Sequence, residues 1–317
     1  MDQIEIGPQS KRDSKFTAQM RFHQSWYRAN ILKVPFGTGP TKGSKSEYGN
    51  MLRKEEAEQG LNFLSKEIFG VVKKRLEDKT GTVDEFRLLR NLLSSQPMCF
   101  NLFAAMDKGL SLEGLGNTLF KQVTQDEGFK RVMGVAMEFA PEPAAEYLDD
   151  KTAFDAFVEY ERTDGKLGFV GIETKLTEPF SPKEYDSKVY RRWASHPKAP
   201  FQGPVEALRA SQVNQLWRGH LLMVAMLHHP KSPYTRGHFM VVHHQDDDEC
   251  AKAIAAYVEL LKHKGQEKTF LDYPLGRLFG LIDLAAVSKV EQEWNRQFQA
   301  RYLELAGSRM AWENREK

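Results

Sequence analysis

The sequence predicts an α/β fold: a mixed β-sheet core flanked by helices, with helical extensions at its N- and C-terminal ends. Three observations carry this. Apolar residues recur at helical spacing on both sides of a central stretch, and three extended segments follow one another between residues 131 and 176. A helical block then separates the third of these from a fourth extended segment at 237–244. A helix between two strands permits a parallel crossover, which would be right-handed, while a hairpin signal between the second and third strands makes an antiparallel pair.

The elements are expected in this order. Residues 1–50 are polar and broken by Gly and Pro, and read as a flexible N-terminal segment with a loop at 35–44. Gly37-Thr38-Gly39 in that loop could cradle a phosphate, although no strand-to-helix context surrounds it. Residues 51–130 read as a helical part packed on the core. Leu61, Leu64, Ile68, Val71, Val72 and Leu76 repeat at helical spacing. Asp84 can cap a second helix running through Phe86, Leu89 and Leu93 to about Pro97, Gly109 closes a third, and Ser111 opens a fourth. The core is expected over 131–265, with strands at 131–139, 153–161, 167–176 and 237–244, a helical block at 205–228 and an amphipathic helix at 247–262. A helical extension of the same domain over 266–317 carries Val290, Trp294, Phe298, Tyr302 and Leu305 on one stripe.

Composition narrows the class. The chain has 317 residues, 41% hydrophobic and 28% charged, which suits a globular protein able to bury a sizeable core. A net charge of +2 does not by itself announce a nucleic-acid partner, so such a surface would need local clustering of Lys and Arg. Cys99 and Cys250 are too few for a disulfide framework, and without a Cys-x-x-Cys pair they exclude cysteine-ligand metal sites. No secretory start is visible, and Leu221–Leu227 is far too short to span a bilayer, so a cytoplasmic location and no membrane partner are expected.

The distinctive chemical signal is Asp155 followed, after 17 residues, by Glu173-Thr174-Lys175. On a strand Glu173 and Lys175 share a face and Thr174 points away. Turn length decides whether Asp155 joins them. A two-residue turn at Asp164-Gly165 sets Asp155 opposite Thr174. A three-residue loop, Thr163-Asp164-Gly165, sets it opposite Glu173 and places Gly165 where a left-handed residue is wanted, and this longer loop is predicted. Paired carboxylates repel unless a cation lies between them, and oxygen ligands favour Mg²⁺ or Mn²⁺. Such an ion activates water and stabilises phosphodiester charge, while a neighbouring lysine orients the water or offsets developing charge. The alternative is an edge hairpin with a solvated acidic face, since Glu159 and Glu161 alternate in phase with Asp155.

Asp155…Glu173-Thr174-Lys175 resembles the signature of the PD-(D/E)XK nuclease superfamily. Leu92-Leu93-Ser94-Ser95-Gln96-Pro97-Met98-Cys99-Phe100-Asn101-Leu102-Phe103, Ile172–Glu178 and Asn214-Gln215-Leu216-Trp217-Arg218 resemble one restriction-endonuclease-like subfamily of it. That subfamily has an aromatic residue where Thr174 stands, a departure expected to matter little for an inward side chain. The resemblance implies a restriction-endonuclease-like fold, with Asp155 and Glu173 holding the metal and Lys175 assisting the water. It also implies a further acidic residue upstream, for which Glu138 is preferred and Glu142 is second.

Supporting candidates are Gln96 and Asn101, whose amides suit phosphate or carboxylate contacts, against a purely local role at a helix terminus. Glu178 is a partner for Lys175 or Arg218. Gln215 and Arg218 lie three apart on one helical face, and the superfamily often brings a glutamine from this helix to the site. Arg218 in a surface ion pair is the alternative. Lys183, Lys188, Arg191 and Arg192 interleave with Tyr185, Tyr190 and Trp193, which suits phosphate contacts with base stacking, or else a solvated basic loop. His228, His229, His238, His243 and His244 with Asp246–Asp248 admit a zinc site, but helix capping by the Asp run is the plainer expectation.

These readings converge on a Mg²⁺- or Mn²⁺-dependent DNA endonuclease, by analogy one in restriction or phage defence, and as a homodimer if it cuts both strands. The rival is a catalytically inactive nuclease-fold protein that binds nucleic acid or serves as a scaffold. An RNA-directed effector is a third reading.

Overall fold

The computed structural model describes residues 5–78, 83–262 and 269–314. They divide into two units. The first comprises the described residues up to Ala105, Leu176–Glu178 and those from Ala286 onward. The second comprises Met106–Lys175 and Pro179–Ala285.

The first unit opens with helix α1 (Lys15–Tyr27), whose Ser14 cap accepts a hydrogen bond from the Thr17 amide. A π-helical turn at Arg28–Leu32 follows, and then the antiparallel pair β1 (Phe36–Thr38) and β2 (Glu47–Leu52). This departs from the loop expected here, and the cause is buried polarity. His23, Gln24, Ser25 and Arg28 are all inaccessible to solvent. Arg28 Nε donates to Gly49 O at 2.7 Å, and Arg28 NH2 donates to Glu5 O and Ile6 O at 2.6 and 2.9 Å. Burial lowers the Arg28 pKa to about 10. Polar residues that satisfy backbone carbonyls from inside mimic a solvated loop in composition.

Short α2 (Lys54–Glu58) and α3 (Lys66–Glu77) come next, with Ile68 and Val72 of α3 facing inward. Asp84 caps α4 (Glu85–Arg90) as expected, accepting from Arg87 N, but the helix stops at Arg90. Pro97 does not end this helix. It sits in the first turn of α5 (Ser95–Phe103), which Ser94 caps. A first-turn proline loses no helical hydrogen bond, so the residue that looked like a stop follows a start.

The second unit runs α6 (Glu113–Thr124), β3 (Phe129–Phe139), β4 (Phe154–Arg162), β5 (Leu167–Lys175), α7 (Lys188–Ala194), α8 (Val205–Arg209), α9 (Asn214–His228), β6 (Tyr234–His243), α10 (Asp248–Val258), β7 (Phe270–Pro274) and α11 (Leu275–Ala285). The five-stranded sheet has the order β3-β4-β5-β6-β7, antiparallel through β5 and parallel from β5 to β7. The expected mixed sheet flanked by helices is therefore formed. β7 was not expected, because five residues paired only along one edge show no alternation of burial. The block expected at 205–228 divides into α8 and α9, with Ala210 extended between them (ψ 136°). Asp247 caps α10 through Cys250 N.

One sheet face presents Phe157, Phe169, Phe239 and Val241 to Leu216, Met223, Tyr190, Trp193, Ile254 and Tyr257, forming an aromatic-rich core. Val158, Val170, Ile172, Met240 and Val242, which alternate with them, are fully buried on the other face. Two helices, α12 (Lys289–Tyr302) and α13 (Ala306–Glu313), complete the first unit. Ser288 and Glu291 form a capping box at the start of α12. Trp294, Phe298 and Tyr302 are buried as the stripe expects, whereas Val290 is 56% exposed because it lies in the first turn, before the stripe meets the unit.

Candidate active site

The site grows from the β4–β5 hairpin. Arg162 N donates to Lys166 O at 2.8 Å and Gly165 N to Arg162 O at 2.9 Å, closing the three-residue loop with Gly165 at φ +76°. The resulting register runs from Glu161–Leu167 to Ala156–Ile172. One step further, Asp155 replaces the ladder. Its Oδ2 accepts from both the amide and the hydroxyl of Thr174, at 2.7 and 2.8 Å. Thr174 therefore does more than point inward. It fixes the aspartate with two contacts, of which a phenylalanine at this position would keep only the one from the amide.

On the other side of β4, the pairs Met137–Ala156 and Phe139–Phe154 bracket Glu138 and Asp155. Glu138 is buried and takes a left-handed φ of +52°, a conformation costing an L-residue about 1–2 kcal/mol. Asp155 keeps part of its surface open, but protein surrounds it closely. Burial, then the charges of Glu173 and Glu138, push its pKa well above the usual carboxylate range, against the pull of Lys175 and the Thr174 amide.

At the end of β5, Lys175 Nζ lies 2.8 Å from Glu173 Oε1 and 5.2 Å from the Phe180 ring centre. Gln215, in the first turn of α9, ties both together. Its Nε2 donates to Glu173 Oε1 at 2.7 Å, and its Oε1 accepts from Ser181 N at 2.7 Å and from Lys175 Nζ at 3.4 Å. One amide thus orients the glutamate, the lysine and the backbone that leaves the strand.

The remaining candidates separate. Arg218 pairs with Asp150 at 3.7 Å, donates to Thr152 and Tyr190, and lies 3.8 Å over the Tyr185 ring. It braces the segment after β5. Asn214 supports the same segment by accepting from Tyr185 N. Gln96 and Glu178 belong to the first unit, where Glu178 accepts from Ser95 N at 2.8 Å. Asn101 is buried in that unit, bonded to Leu64 N, Asn62 O and Tyr302 OH.

Lys183, Lys188, Arg191 and Arg192 are exposed. The stacking surface expected among them is absent from this set: Tyr190 and Trp193 are core residues, and Arg218 covers Tyr185. The sequence mixture reflected an amphipathic helix whose aromatic side faces inward. Arg191 is engaged by Asp186 at 2.5 Å, and Arg192 lies over Trp193. Glu142 is exposed beyond β3. Among the described residues no three His, Cys, Asp or Glu side chains form a ready metal cage, and His243 instead contacts Asp272 at 3.0 Å. Both cysteines are buried and neither is in a disulfide, and burial raises the Cys250 pKa.

The chain matches the PD-(D/E)XK nuclease superfamily over residues 11–304. It belongs to that superfamily. Comparison with curated proteins and with solved structures gave no match. The match includes residues of both units, and Asp155, Glu173 and Lys175 lie within it.

Nucleases of the PD-(D/E)XK superfamily typically use divalent metal ions, and the donor set suits one. The contacts above use Oδ2 of Asp155 and Oε1 of Glu173. Oδ1 and Oε2 take no hydrogen bond from the described residues, so each carboxylate has an oxygen to offer a hard cation. Burial first, and then the neighbouring charges of Glu173 and Glu138, raise the Asp155 pKa, and a bound cation would oppose both.

Proposed function

We propose that this chain is a divalent-metal-dependent endonuclease that hydrolyses DNA phosphodiester bonds, with Mg²⁺ or Mn²⁺ held by Asp155 and Glu173, in restriction or phage defence. The observation that carries the reading is the convergence of Asp155, Glu173 and Lys175 through a three-residue hairpin loop, with Gln215 bonded to two of them. When bound, the ion supplies an acidified water and charge stabilisation at phosphate. Lys175 holds its ammonium beside Glu173, where it can orient a water and offset the charge that develops on phosphate oxygens. Gln215 keeps Glu173 and Lys175 aligned, and Thr174 anchors Asp155. Glu138, the further metal ligand expected from the sequence, adds negative charge beside Asp155 that strengthens cation attraction. Lys183, Lys188 and Arg192 offer exposed charge for the phosphate backbone. Cutting both strands with one such centre per chain calls for two copies.

The test is incubation of purified protein with plasmid DNA, linear DNA and RNA in Mg²⁺, Mn²⁺ or EDTA. Metal-dependent DNA cleavage is expected. It should fall by about 10²–10⁴-fold in Lys175→Ala and Asp155→Ala, and by about 10–100-fold in Gln215→Ala, which only loses alignment. Cleavage that persists in the first two variants rejects this centre. Cleavage of RNA alone rejects DNA as substrate. Binding of DNA without cleavage under any condition favours the inactive nucleic-acid-binding reading.

A further inference from the structure

The first unit contains a cavity of about 630 Å³ lined by Thr38, Lys42, Gly43, Ser44, Phe86 and Arg90 among others. Its volume falls in the range that takes a small-molecule ligand. It brings together two stretches far apart in sequence: the Gly-rich loop after β1, which holds Lys42, Gly43 and Ser44, and helix α4, which holds Phe86 and Arg90.

Arg90 is the informative residue. Its Nε donates to Leu52 O at 2.9 Å, its NH2 reaches Thr38 Oγ1 at 3.4 Å, and its guanidinium lies 4.5 Å over the Phe86 ring. The side chain is half-buried, yet no carboxylate among the described residues lies within ion-pair distance of it. Burial lowers its pKa, against the more distant charges of Glu55 and Glu56. A partly desolvated guanidinium fixed by neutral partners beside an open volume is suited to an anion, and its planar fork matches phosphate.

The rest of the lining extends this. Lys42 is exposed and makes no ion pair among the described residues, and Thr38 and Ser44 add hydroxyls. Of the three acidic lining residues, Asp84 is committed to capping α4 and Glu58 pairs with Lys54 at 3.5 Å. Glu85 remains as an acceptor for an amino or hydroxyl group. Ala57, Leu89 and Phe86 form the apolar part of the lining, against which a base can pack, with Arg90 already covering one face of the Phe86 ring.

We propose that this cavity binds a nucleoside phosphate, with the phosphate on Arg90 and Lys42 and the base against Phe86, Leu89 and Ala57. The site shares no residue with the carboxylate centre of the second unit and does not rest on its chemistry. The ligand is either a free mononucleotide or the 5′-phosphorylated end of a strand.

Isothermal titration calorimetry of the full chain in EDTA tests this, using AMP, GMP, CMP, UMP, adenosine, inorganic phosphate and a 5′-phosphorylated dinucleotide. At least one nucleotide should saturate a single site and bind about tenfold or more tightly than adenosine and phosphate. Lys42→Ala, an exposed change, and Arg90→Lys, which keeps the charge and loses the fork, should each weaken binding by about fivefold or more. Lys175→Ala should leave binding unchanged. A dinucleotide that binds as well as the mononucleotide identifies a strand end as ligand, and exclusion of the dinucleotide identifies a free nucleotide. The proposal is overturned by no saturable binding, by binding no tighter than that of phosphate, by indifference to both cavity variants, or by loss in Lys175→Ala.

Discussion

At Asp155 four influences meet: burial, the charges of Glu173 and Glu138, the opposing charge of Lys175, and the hydrogen bond from the Thr174 amide. The first two win, so its carboxyl titrates well above the ordinary value. A folded-state pKa above the unfolded one means the folded chain binds the extra proton. In EDTA, stability should therefore fall as pH rises above about 4, the unfolded carboxylate value, and the loss should be complete once pH passes the raised value. Asp155→Asn should flatten that slope in urea titrations from acid to neutral pH. An unchanged slope would place the cause elsewhere. Asp155 itself and the D…ExK spacing could be read from the sequence. The part played by Thr174 could not, because strand alternation assigns it to the opposite face, and only the departure of Asp155 from the ladder brings its carboxylate to the Thr174 amide and hydroxyl.

The hairpin loop sets the geometry of the site at the level of elements. With side chains alternating every second residue, one residue more or fewer in this loop would move Asp155 by one position relative to Glu173. Gly165 was legible as the residue that permits the longer loop, and it adopts φ +76° with open space where a Cβ would stand. Gly165→Ala therefore pays only backbone strain, about 1–2 kcal/mol, visible as a lowered midpoint in denaturant. A neutral result would mean the loop tolerates another conformation. Helix α9 shows the complementary case. Its sequence suggested Gln215 and Arg218 as neighbours on one face, but not their division of labour, with Gln215 on Glu173 and Lys175 and Arg218 on Asp150, Thr152 and Tyr185. Amphipathic α7 misled for a related reason, since alternating Lys, Arg, Tyr and Trp reads alike whether the aromatics face a ligand or the core.

Across the whole molecule, the first unit is assembled from segments at opposite ends of the chain. Gln24 donates to Arg301 O at 2.7 Å, Arg301 donates to Asn62 O at 2.8 Å, and Asn101 donates to the Tyr302 hydroxyl at 3.0 Å, all within buried surroundings. Ending the chain at Ala285 would strand these groups, at about 1–3 kcal/mol for each unsatisfied polar group. Such a truncation should lose more helical circular dichroism than the removed residues account for. Retention of the remaining signal would show that the N-terminal segment folds without its C-terminal partner. Among the described residues no helix is long and apolar enough to cross a membrane. The sequence alone determined the α/β class, the central strands, the hairpin loop and the D…ExK residues, because these depend on periodicity, turn chemistry and spacing within a few tens of residues. Tertiary structure alone decided which polar residues are buried, that β7 joins the sheet, that Thr174 holds Asp155, and that Arg90 faces the Gly-rich loop across a cavity. Each of these turns on contacts between residues distant in sequence or on departures from regular alternation, and local pattern does not encode them.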